Sequence, residues 1–460
     1  MTKAANEREI VLETLLEITE NGQFSHIILR DVLNKYQYLE KRERAFITRV
    51  VDGTLEHMIE IDYILDQFSK VKVKKMKPVI RAILRSAVYQ LKYMDSVPDR
   101  AVCSEAVKLA VRKGFSGLKG YVNGVLRSIA RGLDSISYPQ DEIKALSVRY
   151  SCPEWILDLW EKTYEPDVIE AILADFQADK PLTIRCCLNR ITPETLREEL
   201  EAEGIAVADH PYLPYAFRIS GYDHLNELEA FRSGYFTVQD VSSMLVAEIA
   251  DPQAGDRVID VCAAPGGKAL HLAEKLLTAD EAADKPGGST VEARDLTELK
   301  VGLIRENIDR MGLPNITAVC RDASVPDEAS ENTADIVIAD LPCSGLGVIG
   351  KKPDLRYRVT EEGVASLIRL QRQILDCVQA YVKPGGTLVY STCTVNPGEN
   401  EENVYWFLEK HPEFRLADIT GALCPELKES VTDKGCLQLL PGIHECDGFF
   451  IAKLIKKEEN

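Results

Sequence analysis

Two short stretches carry the residues best suited to chemistry. "ADLPCSGLG" holds Cys343 and "YSTCT" holds Cys393, each just after an apolar run that reads as a parallel strand. A thiolate attacks electron-poor carbon at neutral pH better than any other common side chain. One reaction that demands such an attack is methylation of a pyrimidine at carbon 5. That carbon is a weak nucleophile, but adding a thiolate at carbon 6 turns the ring into an enamine. Protonation at ring nitrogen 3 helps the addition, so an acid is needed nearby. Asp340, three residues before Cys343, is placed to supply it. The carbon 5 proton must then leave and the thiolate be expelled, a step that a second thiol can assist. The bland alternative is a small strand-end residue; the flanks "DLPCSG" and "STCT" weigh against it. Cys262, Cys186, Cys187, Cys320 and Cys377 read as packing residues. His444, in "PGIHECDGFF", could be a ligand or base, but reads as a loop histidine without a role.

A methyl donor needs a site on the same scaffold. Residues 258–274, "VIDVCAAPGGKALHLAE", read as strand, turn and helix, with the turn at Ala263, Ala264, Pro265, Gly266 and Gly267. Small residues let a ligand approach the backbone at a helix N-terminus. The turn lacks the GxGxxG of dinucleotide sites. Its proline removes an amide donor that a pyrophosphate cradle would use. S-adenosylmethionine, with little negative charge, fits better. Asp295, Asp322 and Asp340 end the next three β-rich runs. Asp295 could hold ribose hydroxyls and Asp322 an adenine amino group. Each could instead cap the helix that follows.

The elements that must position these residues alternate. From residue 236 onward, "RVIDVCA", "TVEARD", "ITAVCRD", "ADIVIAD" and "GTLVYST" are short β-rich runs separated by helical stretches. That alternation predicts an α/β domain with a doubly wound sheet over residues 236–456, its ligands at the carboxyl ends of the strands. The polar stretch "TADEAADKPGGS" reads as a surface loop. Residues 141–235 read as a small α+β module, with strands in "LTIRCCLN" and "YAFRIS" and a helix in "TPETLREELEAEG" capped by Thr192. Residues 1–135 read as all-helical, with apolar residues at three-to-four spacing in "REIVLETLLEI", "RAFITRVVDGTLEHMIEIDYIL", "PVIRAILRSAVYQLKYM" and "CSEAVKLAVRKG". "ISYPQ" reads as the linker between these two regions.

The chain has 460 residues, 45% of them apolar and 28% charged, enough for two to four domains and ample core. No apolar run approaches the roughly 20 residues that cross a bilayer, and the N-terminal residues lack a signal-peptide core. A cytoplasmic, soluble protein is expected. Twelve scattered cysteines with no CxxC pair predict neither a disulfide framework nor a metal site. Net charge is -18, which by itself disfavours nucleic acid. The distribution reverses that reading. Between Gln67 and Met94 there is no acid, but there are Lys70, Lys72, Lys74, Lys75, Lys77, Arg81, Arg85 and Lys92. A second acid-free stretch carries Lys108, Arg112, Lys113, Lys119, Arg127 and Arg131. A basic face of this kind suits RNA phosphates; a solvated helical face is the alternative.

"DVCAAPGGK", "ADLPCSGLG", "YSTCT" and "DGFFIAKL" together resemble the signature segments of the Sun family of RNA 5-methylcytosine methyltransferases. The helical region, with "LRDVL", "RAFITRVVDGTLEH" and "GYVNGVLRSI", resembles a NusB-like RNA-binding domain. The resemblance covers nearly the whole chain. It implies a Rossmann-like methyltransferase domain, S-adenosylmethionine as cofactor and 16S ribosomal RNA as partner, at a cytosine of the cytosine-967 type. It implies Cys393 as the nucleophile, Cys343 as an aid to product release and Asp340 as a contact to the cytosine and cofactor. It implies that the turn from Cys262 through Ala263, Ala264, Pro265, Gly266 and Gly267 to Lys268 holds the methionine part of the cofactor. Asp295 would lie on ribose and Asp322 near adenine. Lys268 could reach the active site or simply be solvated. "FTVQDVSSML", with Gln239 and Asp240, matches the start of the family's catalytic domain, and "KKPDLRYR" a segment expected near RNA.

One departure is Ala269, where the family usually has Thr after the turn lysine. It removes a hydroxyl but no catalytic group, so slightly altered cofactor affinity is expected. Residues 278–289 form a longer loop than is typical. Transfer RNA is the alternative substrate. An RNA-binding assembly factor without catalysis is a rival that the intact pair of thiols opposes. A nicotinamide-dependent oxidoreductase is opposed by the missing GxGxxG. A monomer without metal or membrane partner is expected.

Overall fold

The computed structural model describes residues 6–284, 288–432 and 434–458. Its chain forms two compact units. The first runs to residue 178 and also takes in residues 349–358; the second comprises residues 179–348 and 359–460. The division falls inside the stretch 141–235 expected as one α+β module. The helices Glu142–Tyr150, Glu154–Trp160 and Pro166–Asp175 belong to the first unit.

The first unit is helical among its described residues. Its seven N-terminal helices are Glu7–Thr19, Ser25–Lys35, Lys41–Glu56, Met58–Phe68, Pro78–Tyr93, Asp99–Arg112 and Lys119–Gly132. Pro78 opens its helix at the first turn, where its missing N–H costs nothing. Ile80, Ile83, Leu84, Val88 and Leu91 of that helix are buried, the face that its spacing predicted. "RAFITRVVDGTLEHMIEIDYIL" reads as one continuous pattern, but the helix breaks at His57, which leaves helical dihedrals (φ -107°, ψ 20°). The His57 ring stacks on Tyr93 with centroids 4.0 Å apart, so packing overrides the local period. Residues 349–358 supply a short 3-10 turn, Pro353–Tyr357. Asp354 accepts from Ser25 N at 3.2 Å and Ser25 Oγ at 2.5 Å. Arg356 is buried and donates to the carbonyls of Tyr150 at 3.0 Å and Ser151 at 3.3 Å. Tyr357 Oη donates to Leu55 O at 2.7 Å. Asp354, Arg356 and Tyr357 of the segment expected beside RNA are therefore engaged with protein.

The basic stretches divide in the same way. Arg81 pairs with Glu20, Arg85 with Asp62, Lys92 with Glu60, and Lys113 with Glu9 and Glu13. Lys70, Lys72, Lys74, Lys75 and Lys77 are exposed on one loop, tacked down by buried Val73 and Met76, and Lys72 also pairs with Asp66 at 3.6 Å. Ser69 Oγ lies 2.8 Å from Tyr121 Oη, joining this loop to the helix Lys119–Gly132, which also exposes Arg127.

The second unit holds two sheets. The smaller one is antiparallel and built from β1 (Leu182–Cys186), β2 (Ala206–Asp209), β3 (Ala216–Ser220) and β4 (Phe236–Val238) in the order β2-β3-β1-β4. Thr192 caps the helix Pro193–Ala202 as expected, accepting from Thr195 N at 3.3 Å. The larger sheet contains β5 (Arg257–Asp260), β6 (Thr290–Asp295), β7 (Ile316–Cys320), β8 (Ala334–Asp340), β9 (Val382–Thr392), β10 (Phe414–Leu416), β11 (Leu437–Leu439) and β12 (Phe449–Lys456). Its order is β10-β12-β9-β8-β5-β6-β7, with β11 paired to β12. Strands β5 to β9 run parallel, and β12 is antiparallel to β9. Strand order reverses between β5 and β8, the place where open α/β sheets bind ligands.

The stretch expected as a loop at 278–289 is partly helical, because Gly267–Ala282 is a single helix. Asp280 is buried in it and accepts from Gly255 N at 2.9 Å, Ser289 N at 2.9 Å and Ser289 Oγ at 2.7 Å. One carboxylate thus anchors a polar run that would otherwise be solvated. Residues 285–287 lie outside the described residues. No helix among the described residues is long and apolar enough to cross a membrane.

Candidate active site

The strand reversal brings three strand ends together. Asp260 ends β5, Asp340 ends β8 and Cys393 follows β9. Leu341 N donates to Ser391 O at 3.1 Å and Gly347 N to Cys393 O at 3.1 Å, so the loops leaving β8 and β9 stay side by side. Gly448, just before β12, closes over them, its N donating to Gly347 O at 2.9 Å. A Cβ on Gly347 would lie 2.1 Å from Gly448 O, so the crossing admits no side chain there.

In this frame Cys343 Sγ and Cys393 Sγ are 3.3 Å apart. Both thiols are partly exposed. The hydrogen bond with Cys393, then burial, then the charges of Cys393 and Glu399 push the Cys343 thiol well above its ordinary value. Lys268 Nζ donates to Asp340 Oδ2 at 2.7 Å, and Ser391 Oγ to Asp340 Oδ1 at 2.8 Å. Burial lowers the Lys268 ammonium, but the charge and hydrogen bond of Asp340 outweigh it and the net shift is upward. Asp260 and Cys393 also face that ammonium. Lys268 is therefore part of the cluster rather than a solvated lysine.

The turn and the other carboxylates lie along the same edge. Gly266 takes φ 113°, a conformation that suits glycine, and opens the helix Gly267–Ala282. A Cβ on Gly267 would meet Gln239 at 3.7 Å, and Gln239 is held by Arg185, whose Nε donates to Gln239 Oε1 at 2.9 Å. Asp295 is buried and accepts from Ala264 N at 3.0 Å, with Lys300 Nζ at 3.0 Å. Ala269 is fully buried at the start of the helix. Asp322 is exposed and accepts from Ser324 N at 2.9 Å and Ser324 Oγ at 2.7 Å, bonds that hold its carboxyl below the usual range. Its hydrogen bonds stay within its own turn and do not extend to the thiol cluster. The tight turn, the missing amide of Pro265 and the carboxylate of Asp295 beside it suit S-adenosylmethionine better than a nucleotide phosphate.

Asp260 was not read from sequence as a site residue. It is fully buried, with Cys262 N at 3.4 Å from Oδ1 and no hydrogen-bond partner for Oδ2 among the described residues. Burial, then the charge of Asp340, push its carboxyl from an ordinary 3.8 up to about 7. A raised carboxyl holds its proton more tightly in the fold. Its contribution is therefore full below the unfolded value and lost as pH rises through about 7. Between pH 5 and pH 8 the natural protein should lose on the order of 2 kcal/mol more stability than Asp260→Asn. Urea midpoints of both proteins at the two pH values check this; equal losses would exclude Asp260 as the titrating group.

Cys186 and Cys187 behave as the packing residues expected, whereas Cys320, read the same way from sequence, is exposed at the end of β7. Cys186 and Cys187 are buried, and burial pushes both up to about 12. Burial, then Asp260 and Asp295, push Cys262 upward as well. His444 Nε2 sits 2.7 Å from Ser430 Oγ, and its Nδ1 accepts from Leu440 N at 2.8 Å, which fastens a loop. Among the described residues no group of three or more His, Cys, Asp or Glu is arranged to hold a metal ion.

A Gly-rich turn after β5, carboxylates at the ends of β5, β6 and β8, and a pair of thiols after β8 and β9 fit a Rossmann-like methyltransferase domain. Comparison with known proteins agrees. Residues 247–455 match the model for the 16S rRNA methyltransferase RsmB/F, residues 5–131 that of the NusB family, and residues 152–223 the ferredoxin-like domain of RsmF/B-like methyltransferases. A Bacillus subtilis (strain 168) protein named probable ribosomal RNA small subunit methyltransferase B is 37% identical over 457 residues, 99% of this chain and 100% of that protein. Ribosomal RNA small subunit methyltransferase B of Cronobacter sakazakii is 30% identical over 458 residues, again 99% and 100%. The crystal structure of PH0851 superposes with a TM-score of 0.81 at 26% identity, covering 100% of both chains. NSun6 from Pyrococcus horikoshii with SFG shares the fold over 67% of this chain and 99% of its own, with a TM-score of 0.57 at 24% identity. The chain belongs to the RsmB/F family of 16S rRNA methyltransferases.

Proposed function

We propose that this chain methylates carbon 5 of a cytosine in 16S ribosomal RNA, of the cytosine-967 type, through a covalent bond between Cys393 and carbon 6 of the ring. The observation that carries the reading is the contact between Cys343 and Cys393 at 3.3 Å, beside the Lys268–Asp340 pair. The upward push on the Cys343 thiol suits it to donate within the pair, and Cys393, facing the Lys268 ammonium, is the sulfur that attacks. Asp340, oriented by Ser391 and Lys268, meets the cytosine edge, and the Lys268 ammonium that donates to it supplies the proton that Asp340 passes to ring nitrogen 3. The turn from Cys262 to Lys268, with Asp295 on ribose and Asp322 near adenine, would hold S-adenosylmethionine, which supplies the methyl group. Once Cys393 is a thioether, the strongest influence keeping Cys343 protonated is gone. Cys343 can then release its own proton to solvent and take the carbon 5 proton as a base, while the carbon–sulfur bond breaks and the Cys393 thiolate departs.

A cytosine reaches these thiols only when splayed out of any stack. The exposed lysines of residues 70–77 suit the sequence-independent part of RNA binding. The choice of 16S RNA is supported by the relatives and by the NusB match at residues 5–131. The test is transfer of a labelled methyl group from S-adenosylmethionine to unmodified 16S RNA, with transfer RNA in parallel and the modified base mapped. Label at a single cytosine of 16S RNA is expected. Label only in transfer RNA would retain the thiol chemistry and discard the substrate. No label in either RNA, despite cofactor binding, would overturn the proposal.

A further inference from the structure

Glu399 is fully buried in the loop after Cys393, and the reaction just described makes no use of it. Four donors converge on its carboxylate. Ser344 N reaches Oε1 at 2.8 Å and Gln371 Nε2 reaches it at 3.1 Å. Ser344 Oγ reaches Oε2 at 2.5 Å and Asn396 Nδ2 at 3.0 Å. Acceptance on both oxygens from donors alone is the pattern of an ionised carboxylate. These donors come from three places: the residue after Cys343, the loop after Cys393, and the helix Glu361–Val378.

The network brackets both thiols. Gln371 Nε2 also donates to Pro342 O at 2.8 Å, so the residues on either side of Cys343 are held by one side chain or its partner. Ser344 Oγ lies 2.8 Å from Thr394 Oγ1, the neighbour of Cys393. Asn403 Nδ2 fixes Gln371 by donating to its Oε1 at 2.8 Å. Ser344, Gln371, Thr394, Asn396 and Asn403 are all buried. A buried carboxylate with four donors cannot be removed without orphaning several of them at once.

We propose that Glu399 is a positioning residue for methyl transfer, whose carboxylate ties the Cys343 loop to the Cys393 loop and keeps the two thiols in contact. This rests on the reading of both cysteines as the reacting thiols. The carboxylate also acts on chemistry: its charge is one of the influences that keep the Cys343 thiol protonated. Glu399→Gln keeps the size of the side chain, but it removes the charge and sets an N–H against one pair of donors.

Two readouts test the proposal in the full-length protein. Glu399→Gln should lower kcat by about 100-fold, the scale of a roughly 1 Å misplacement, with KM for RNA within about threefold. In a Cys393→Ala background, Glu399→Gln should also move the pH midpoint for alkylation of Cys343 by iodoacetamide downward. A kcat within threefold of the natural protein overturns the proposal. So does a fall in kcat with an unmoved alkylation midpoint, since that marks a contribution to folding alone. If Glu399→Gln does not fold, Ser344→Ala carries the test: it keeps the carboxylate and should lower kcat by about 10-fold, and an unchanged kcat again overturns the proposal. Failure of the two-thiol reading would show separately, as normal turnover by Cys393→Ala with Glu399 intact.

Discussion

Cys393→Ala is expected to lower methyl transfer by on the order of 10⁴-fold or more, with S-adenosylmethionine affinity within about threefold. The covalent route loses its nucleophile with this sulfur, and Cys343, 3.3 Å away on the loop after β8, does not stand where it stood. The substitution should leave the fold unaltered. The Cys393 backbone carbonyl that takes Gly347 N at 3.1 Å is independent of the side chain, and Cys393 is partly exposed rather than a core residue. Single-turnover transfer of labelled methyl to 16S RNA, beside a calorimetric titration of the cofactor, separates chemistry from binding. Full turnover by the variant would remove Cys393 from the reaction.

Cys343→Ala should do something different in kind: RNA should stay attached to the protein through a denaturing gel. The variant keeps the Cys393 nucleophile, Lys268 and Asp340, so addition and methyl transfer can proceed. What it loses is the second sulfur 3.3 Å away, the group placed to help the carbon 5 proton leave. Trapped protein should approach the whole of the active enzyme, against a small fraction for the natural chain, a shift of on the order of 10²-fold in the release step. The double variant Cys343→Ala with Cys393→Ala should retain no RNA, which assigns the bond to Cys393. Absence of retained RNA in the single variant would count against release by Cys343.

Much of the catalytic unit could be read in advance because its signals are local. The parallel strands were visible as short β-rich runs, and the thiols, Asp340 and the turn at residues 262–268 sit at the ends of those runs. Lys268 was ambiguous, since nothing beside it in sequence announces Asp340, its partner 72 residues away. Glu399 and Asp260 were missed for the same reason. The roles of both depend on burial and on partners from distant segments, such as Gln371 on another helix. The extension of the helix to Ala282 depends on Asp280 meeting Gly255 and Ser289, and the break at His57 on a ring stacked from another helix. Periodicity reports none of these. The same holds for residues 351–358: their charges suggest RNA, yet Asp354 and Arg356 spend theirs inside the helical unit.

That ten-residue excursion, 349–358, bears on how such a protein can be rebuilt or inherited in pieces. The polypeptide passes between the two units at 178, at 348 and again at 358. The catalytic unit is therefore not a detachable cassette. A truncation or recombination joint at residue 179 would carry along Pro353, Asp354 and Arg356 without the helical segments that bury them. The stranded segment begins six residues after Cys343. Exchange of the N-terminal helices between relatives therefore requires matched changes beside the loop that carries Cys343, so the two parts are constrained to evolve together.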